Sequence, residues 1–533
     1  TASDYHSTVG GGRDNTAAGC SSAIGGGYSN TASCYCSTVG GGGCNTASGP
    51  ISTVSGGFCN NADGAYSTIG GGGCNTASCT ASTLGGGCLN TASGGFSTVG
   101  GGGSNTASGY YSTLGGGGSN EVYSDYATIA GGEYNLIEDT TGSFATGSFI
   151  GGGICNTASA YRSIIGGGEC NTISVDACYS SILGGCLNIA SCCYSAIGGG
   201  CLNIASGCYS AIAGGRQNTA LCGYSTVGGG YSNTASCYFS TVGGGGCNTA
   251  SCTASTLGGG CLNTALCNFS TVGGGGCNTA SGCCSTIGGG FCNIASGTAS
   301  TLGGGFCNTA LCVFSTVGGG FCNVALCTVS TVGGGGCNTA SGDGSTLGGG
   351  GCNTASGGGS TLGGGGSNTA LGCISTVSGG RQNTASGYGS AIGGGVLNIA
   401  SGCYSAISGG GCSNIVDSDY AVIAGGHCNM IEDITGCPAT GSFIGGGSCN
   451  TACACYSSIL GGQNNTACHN SSHIVGECIC TRCNCTTHIN CLNFDTIASY
   501  CGNACAVAAG LPVGQVYLST ECNAFPAFLT IVV

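Results

Sequence analysis

Apolar, small and polar positions recur along this chain with a period of fifteen. The frame reads S-[TAS]-[VIL]-G-G-G-x-x-N-[TI]-A-[SL]-x-x-x, as in STVGGGGCNTASCTA from Ser240. The opening serine falls at 7, 22, 37, 52, 67, 82, 97 and 112, and again every fifteen residues from 180 to 405. Roughly thirty copies, counting irregular ones, run to about His488. A fixed period of this size is the signature of a solenoid. Counted from the serine, positions 1 and 3 share one face of a short strand, so the serine and the Val, Ile or Leu point inward. Positions 9 and 11, Asn and Ala, share the inward face of a second strand, and stacked asparagines form a hydrogen-bonded ladder. The glycine run turns the backbone tightly. A helix is excluded, because three glycines per coil would each cost roughly 1 kcal/mol.

A coil that buries one aliphatic, one alanine and two small polar side chains cannot offset its own ordering entropy. Coils must therefore stack, and stacks must pack side by side. Phe58, Phe291, Phe306, Phe321, Leu187, Leu202 and Leu262 follow the glycines, where a single chain would present them to water. Contiguous exposed apolar surface marks an interface, and three chains around one axis is the expected arrangement. Thirty coils at the ~4.8 Å strand spacing predict a rod of roughly 140–150 Å.

Two interruptions divide the chain. Residues 124–153 recur at 418–447 with SDYA, AGG, IED and ATGSFIGGG in common, and the spacing between coil starts lengthens to 21 in each. Such insertions map to loops on one face, often a binding face. The expected organisation is regular coils over 1–123, irregular coils over 124–179, regular coils over 180–417, a second irregular set and the last coils over 418–490, and a C-terminal cap or trimerisation segment over 491–533. A cap protects the last open strand edge.

Composition narrows the function classes. Charged residues are 4% of 533, lysine is absent, and the net charge is −13 without a basic stripe. Nucleic-acid binding needs clustered cations, so it is disfavoured. No apolar run is long enough for a membrane-spanning helix. The chain begins in repeat register without a secretory leader, as a processed product or a fragment would. Forty-nine cysteines point to an oxidising, extracellular setting.

The candidate chemistry is sparse. Cys277, Cys292, Cys307, Cys322, Cys337 and Cys352 lie fifteen apart, and stacked rungs would place their Cα atoms within disulfide range, a possible ladder set against a column of free thiols. Each such bridge is worth around 3 kcal/mol in the entropy model. The total is odd, so at least one cysteine is free or intermolecular. His473 and His488 lie one coil apart with Cys478, Cys480, Cys483 and Cys485 between them; a metal site is one reading, but an outward-facing pair suits the spacing better. Glu138 with Asp139, and Glu432 with Asp433, sit in the irregular coils beside Asp125 and Asp419. They are weak Ca²⁺ candidates without EF-hand spacing, and solvated loop acids are the plainer reading. Glycosidase chemistry by paired carboxylates lacks an elaborated cleft. The glycine runs lack the Lys-Ser/Thr of a phosphate loop, and no histidine column accompanies the serines, so no catalytic residue and no cofactor is expected.

The S-x-[VI]-x-G and N-x-A-S elements, as in Ser225-Thr226-Val227-Gly228 and Asn233-Thr234-Ala235-Ser236, resemble the head repeats of trimeric autotransporter adhesins, the YadA-like family, and related repeats of phage or viral fibres. The likeness covers nearly all of residues 1–490, and the stretch 508–517 is similar to endings of fibre proteins. It implies a left-handed parallel β-roll, a homotrimer, and attachment to a surface receptor or glycan. The strict fifteen-residue period and the lack of a following stalk or membrane β-barrel depart from the adhesins and favour a virion fibre or cell-surface appendage. The expectation is thus an all-β parallel β-solenoid (β-roll) serving as a non-enzymatic adhesive fibre. The rivals are a filament-forming matrix or sheath protein built on lateral bundles and, more distantly, an ice-binding solenoid.

Overall fold

The computed structural model describes residues 1–140, 144–434, 438–489, 499–500, 516–519 and 528–531. It divides into two compact units, Thr1–Gly365 and Gly366–Val533. Within each unit, coils of about fifteen residues stack in register as a parallel β-solenoid, and no helix occurs among the described residues. In the first unit Thr38–Val39 pairs with Thr53–Val54, and Thr31–Ala32 with Thr46–Ala47. In the second, Ala391–Ile392 pairs with Ala406–Ile407, and Thr369–Ala370 with Thr384–Ala385. All of these pairs are parallel. The fold class expected from the repeat is the one observed.

The inward and outward positions also follow the period of two. Ser37 and Val39 are fully buried while Thr38 between them is partly exposed. Asn45 and Ala47 are buried on either side of Thr46. Up to Thr466–Ala467 each coil strand is only two residues long, because glycines or a turn follow at once, and His473–Val475 and Thr487–Ile489 in the last coils have three. A third line of contact runs through position 7, where single residues such as Tyr28, Gly43 and Phe58 form successive parallel bridges.

The asparagine ladder is mainly a side-chain-to-backbone device. The Asn293 N–H donates to Asn278 Oδ1 at 3.0 Å, and Asn278 Nδ2 donates to the Gly274 and Gly290 carbonyls, each at 2.9 Å. One carboxamide thereby satisfies an amide in the coil above, a carbonyl in its own glycine turn and a carbonyl in the next. The Asn293 N–H is buried and the two glycine carbonyls are partly so, and these bonds give each of them a partner at the glycine corner.

Position 13 selects between two turns. Where it is cysteine, as at Cys34, the Ser37 hydroxyl donates to its carbonyl at 2.8 Å and accepts from its N–H at 3.2 Å. Where it is glycine, as at Gly49 and Gly64, the N–H instead joins the alanine carbonyl of the next coil, at 3.2 and 3.1 Å. The serine hydroxyls of those coils, Ser52 and Ser67 among them, then have no hydrogen-bond partner among the described residues. A Cβ at Gly49 would overlap the Gly64 carbonyl, so the tucked turn requires glycine.

Two further corners place non-glycine residues in the left-handed region. Position 8 holds, for example, Cys277 at φ 54°, and position 15 holds Tyr194 at 59°, Ile51 at 59° and Val329 at 58°. Such a conformation costs on the order of 1–3 kcal/mol, most for β-branched residues. It is held by bonds between coils, such as Cys292 N–H to the Gly276 carbonyl and Tyr209 N–H to the Cys193 carbonyl. The corners project these side chains away from the core, which is how a solenoid of small residues comes to carry large ones outside.

The irregular coils leave the core undisturbed. Thr128–Ile129 still pairs with Phe149–Ile150, and Asn156 N–H still reaches Asn135 Oδ1 at 3.1 Å across 21 residues. The segment 491–533, expected as a cap or trimerisation element, lies largely outside the described residues. Its described strands form a small mixed sheet, in which Val516–Ser519 pairs parallel with Ser499–Tyr500 and antiparallel with Phe528–Ile531.

Candidate functional site

Because the fold repeats, surface chemistry is organised in columns. The longest aromatic column stands at position 15, where Tyr179, Tyr194, Tyr209, Tyr224 and Phe239 stack with ring centroids 4.7–5.0 Å apart and planes within 2–9°. Shorter columns are Phe96–Tyr111–Tyr126 and Tyr404–Tyr420. At position 7, Phe291, Phe306 and Phe321 stack at 5.5–5.6 Å, each 43–50% exposed. The coil spacing, and not any preference of the rings, sets this face-to-face geometry. Phe58, Leu187 and Leu262 are likewise exposed, as their place after the glycines predicted, while Leu202 is half-buried.

The six cysteines from Cys277 to Cys352 do occupy one column, and they are thiols; Cys337 and Cys352 are exposed and the other four half-buried. Burial, then the neighbouring Cys292, push the Cys277 thiol up. The bridges formed lie elsewhere. Cys192–Cys208 and Cys267–Cys283 run diagonally from position 13 of one coil to position 14 of the next, with Cα atoms 4.8 and 4.9 Å apart, and Cys453–Cys468 joins position 12 of successive coils at 4.7 Å. Each diagonal bridge occurs where a position-13 cysteine is followed one coil later by Gly-Cys, Gly207-Cys208 and Gly282-Cys283. The Cys…Gly-Cys pattern is legible in the sequence, but a search for one position repeated every fifteen residues does not find it, because the bridge is diagonal.

The acidic residues act within their loops. Asp139 Oδ1 accepts from the Ser124 hydroxyl and, at 2.7 Å, from Ala145 N–H. In the duplicate, Asp433 Oδ1 accepts from the Ser418 hydroxyl and from Ala439 N–H, again at 2.7 Å. Asp125 and Asp419 accept from Tyr110 and Cys403 N–H, both at 2.7 Å. Glu138 Oε1 takes a long 3.5 Å bond from Ser159, and Glu432 is half-buried beside Asp433. The aspartates thus brace the insertions, and among the described residues no three His, Cys, Asp or Glu side chains converge on a metal position. Asp433→Ala is expected to cost about 1–2 kcal/mol locally and to speed hydrogen exchange at Ala439. Asn450, still bonded to Asn429 Oδ1 at 3.1 Å, keeps its protection. Asp433→Asn, which retains the acceptor, restores the slow exchange.

The two histidines do not stack. His473 lies opposite Thr487, and His488 opposite Ile474, because the last coil has lost one residue. The loss shows at the ladder, where Ile479 N–H, fourteen residues on, takes Asn465 Oδ1 at 2.9 Å. A one-residue slip turns a strand residue to the other face. His473 is accordingly exposed beside Ser458 (Nδ1–Oγ 2.6 Å), while His488 is half-buried beside Thr486 (Nε2–Oγ1 2.9 Å). The expectation that both rings face outward in one column is corrected by this register. Among the described residues, no helix is long and apolar enough to cross a membrane. No protein-family model matches this sequence, and no curated protein matches it either.

Proposed function

We propose that the chain is a structural and adhesive fibre component, a β-roll that associates as a homotrimer, projects from a virion or cell, and contacts a receptor or glycan. One observation carries the reading: large aromatic and aliphatic side chains are held outside at a fixed ~4.8 Å repeat by a core built from Ser, Asn, Ala and one aliphatic per coil. Contiguous apolar surface of this kind suits burial against other copies. The resemblance to trimeric adhesin heads supports a threefold, left-handed arrangement. The Phe291–Phe306–Phe321 column favours a second reading, a matrix filament held by lateral packing.

Light scattering on the purified protein is expected to give three times the chain mass. Replacing Phe291, Phe306 and Phe321 together by serine is expected to lower that mass while leaving the β-sheet circular dichroism intact, because these rings lie outside the core. A monodisperse monomer for the parent protein would remove the trimeric reading. Glycan-array binding supports adhesion, whereas laterally bundled rods without binding support the matrix filament.

A further inference from the structure

Position 7 of four successive coils carries Glu169, Cys186, Cys201 and Arg216, each bridged to the next in parallel register. The two central sulfurs are 2.8 Å apart, with the Cys186 thiol donating to Cys201 Sγ. Both side chains are half-buried, so reagents reach them, and neither takes part in the three disulfides among the described residues. The pair is asymmetric. The other neighbour of Cys186 in the column is an acid, and the other neighbour of Cys201 is the exposed arginine of the next rung.

We propose that Cys186 and Cys201 form a dithiol–disulfide site that exchanges with low-molecular-weight disulfides, with Cys201 as the attacking sulfur and Cys186 as the resolving one. A cation next to a thiol favours the thiolate, and the thiolate is the nucleophile. The Cys186 thiol is the donor in the pair, which leaves Cys201 as the sulfur free to attack, and the hydrogen bond to Cys201, then burial and the nearby Glu169 carboxylate, push the Cys186 thiol up. Cys201 releases its proton to solvent, and its Sγ bonds to one sulfur of R–S–S–R, breaking that bond and expelling R–S⁻, which takes a proton from solvent. Cys186 then loses its proton to solvent and attacks Cys201 Sγ, expelling the second R–S⁻, which is protonated in turn. Two thiols and one disulfide become the Cys186–Cys201 bridge and two R–SH, with two electrons passed to the reagent. The bridge joins adjacent coils at the rung spacing already spanned by Cys192–Cys208, Cys267–Cys283 and Cys453–Cys468.

The test uses the full chain, reduced under native conditions, freed of reductant, exposed to oxidised glutathione, and quenched with an alkylating agent. Chymotryptic cleavage after Leu183, Leu187, Tyr194 and Leu202 separates the two cysteines into peptides 184–187 and 195–202. The expected result is a disulfide linking these two peptides. In C186S, glutathione accumulates on Cys201; in C201S, Cys186 is modified about tenfold more slowly, with β-sheet circular dichroism unchanged in both. Three results overturn the proposal: Cys186 and Cys201 both alkylated and unlinked, Cys186 linked to Cys170 instead, or equal rates of glutathione addition in the two variants.

Discussion

Gly275→Ala is expected to disrupt the stack around it, while Gly274→Ala, one residue earlier, is expected to leave stability within about 1 kcal/mol of the parent. Gly275 has φ +87°, and a Cβ there would overlap the Gly290 carbonyl oxygen of the next coil and stand 2.9 Å from Asn278 Nδ2. Neither obstacle is a flexible side-chain end: one is backbone, and the other is the amide that organises the corner. Left-handed strain and overpacking together come to roughly 2–6 kcal/mol. In a solenoid each coil rests only on its neighbours, so one bad junction also uncouples the coils on either side. At Gly274 a Cβ would meet nothing within 4 Å. Denaturant midpoints of the two variants measure the contrast, and equal losses would show that the corner is not packed as described.

Asn278→Ala is the second large effect. It removes the acceptor of Asn293 N–H and the donor to the Gly274 and Gly290 carbonyls, three backbone groups in two turns. The Gly290 carbonyl keeps its bond from Gly276 N–H at 2.9 Å, so two groups lose their partner, and at about 1–3 kcal/mol each a loss of roughly 2–6 kcal/mol is expected. Asp at this position keeps the acceptor but cannot donate and buries a charge, so it does not rescue. Thr279→Ala, at the outward position beside it, is expected to change stability by less than about 0.5 kcal/mol. Hydrogen exchange at Asn293 reads the effect directly: protection is lost in Asn278→Ala and kept in Thr279→Ala.

These paired substitutions mark where a repeat becomes readable. The serine, the aliphatic, the asparagine and the alanine of each coil point inward as their alternation requires, since a strand has only two faces. The parallel stacking follows as well, because a coil this thin has no other way to cover itself. Three adjacent glycines look equivalent in the sequence. They are not: the Cβ of Gly275 would collide with the next coil and that of Gly274 would meet open space, a distinction created by a neighbour fifteen residues away.

What the chain alone determined is the coil, its two faces and the fact of stacking, because these depend on periods of two and fifteen that any reader can count. The tertiary structure decided everything that depends on which atoms of one coil lie over which atoms of the next. It put Tyr194 and Cys277 in left-handed corners, gave Asn278 three backbone partners, and turned Asp139 and Asp433 into loop braces. It set His488 over Ile474 and brought Cys186 within 2.8 Å of Cys201. A residue's type is written once in the sequence, but its contact across a 4.8 Å rung depends on register, and register is fixed only when the coils pack.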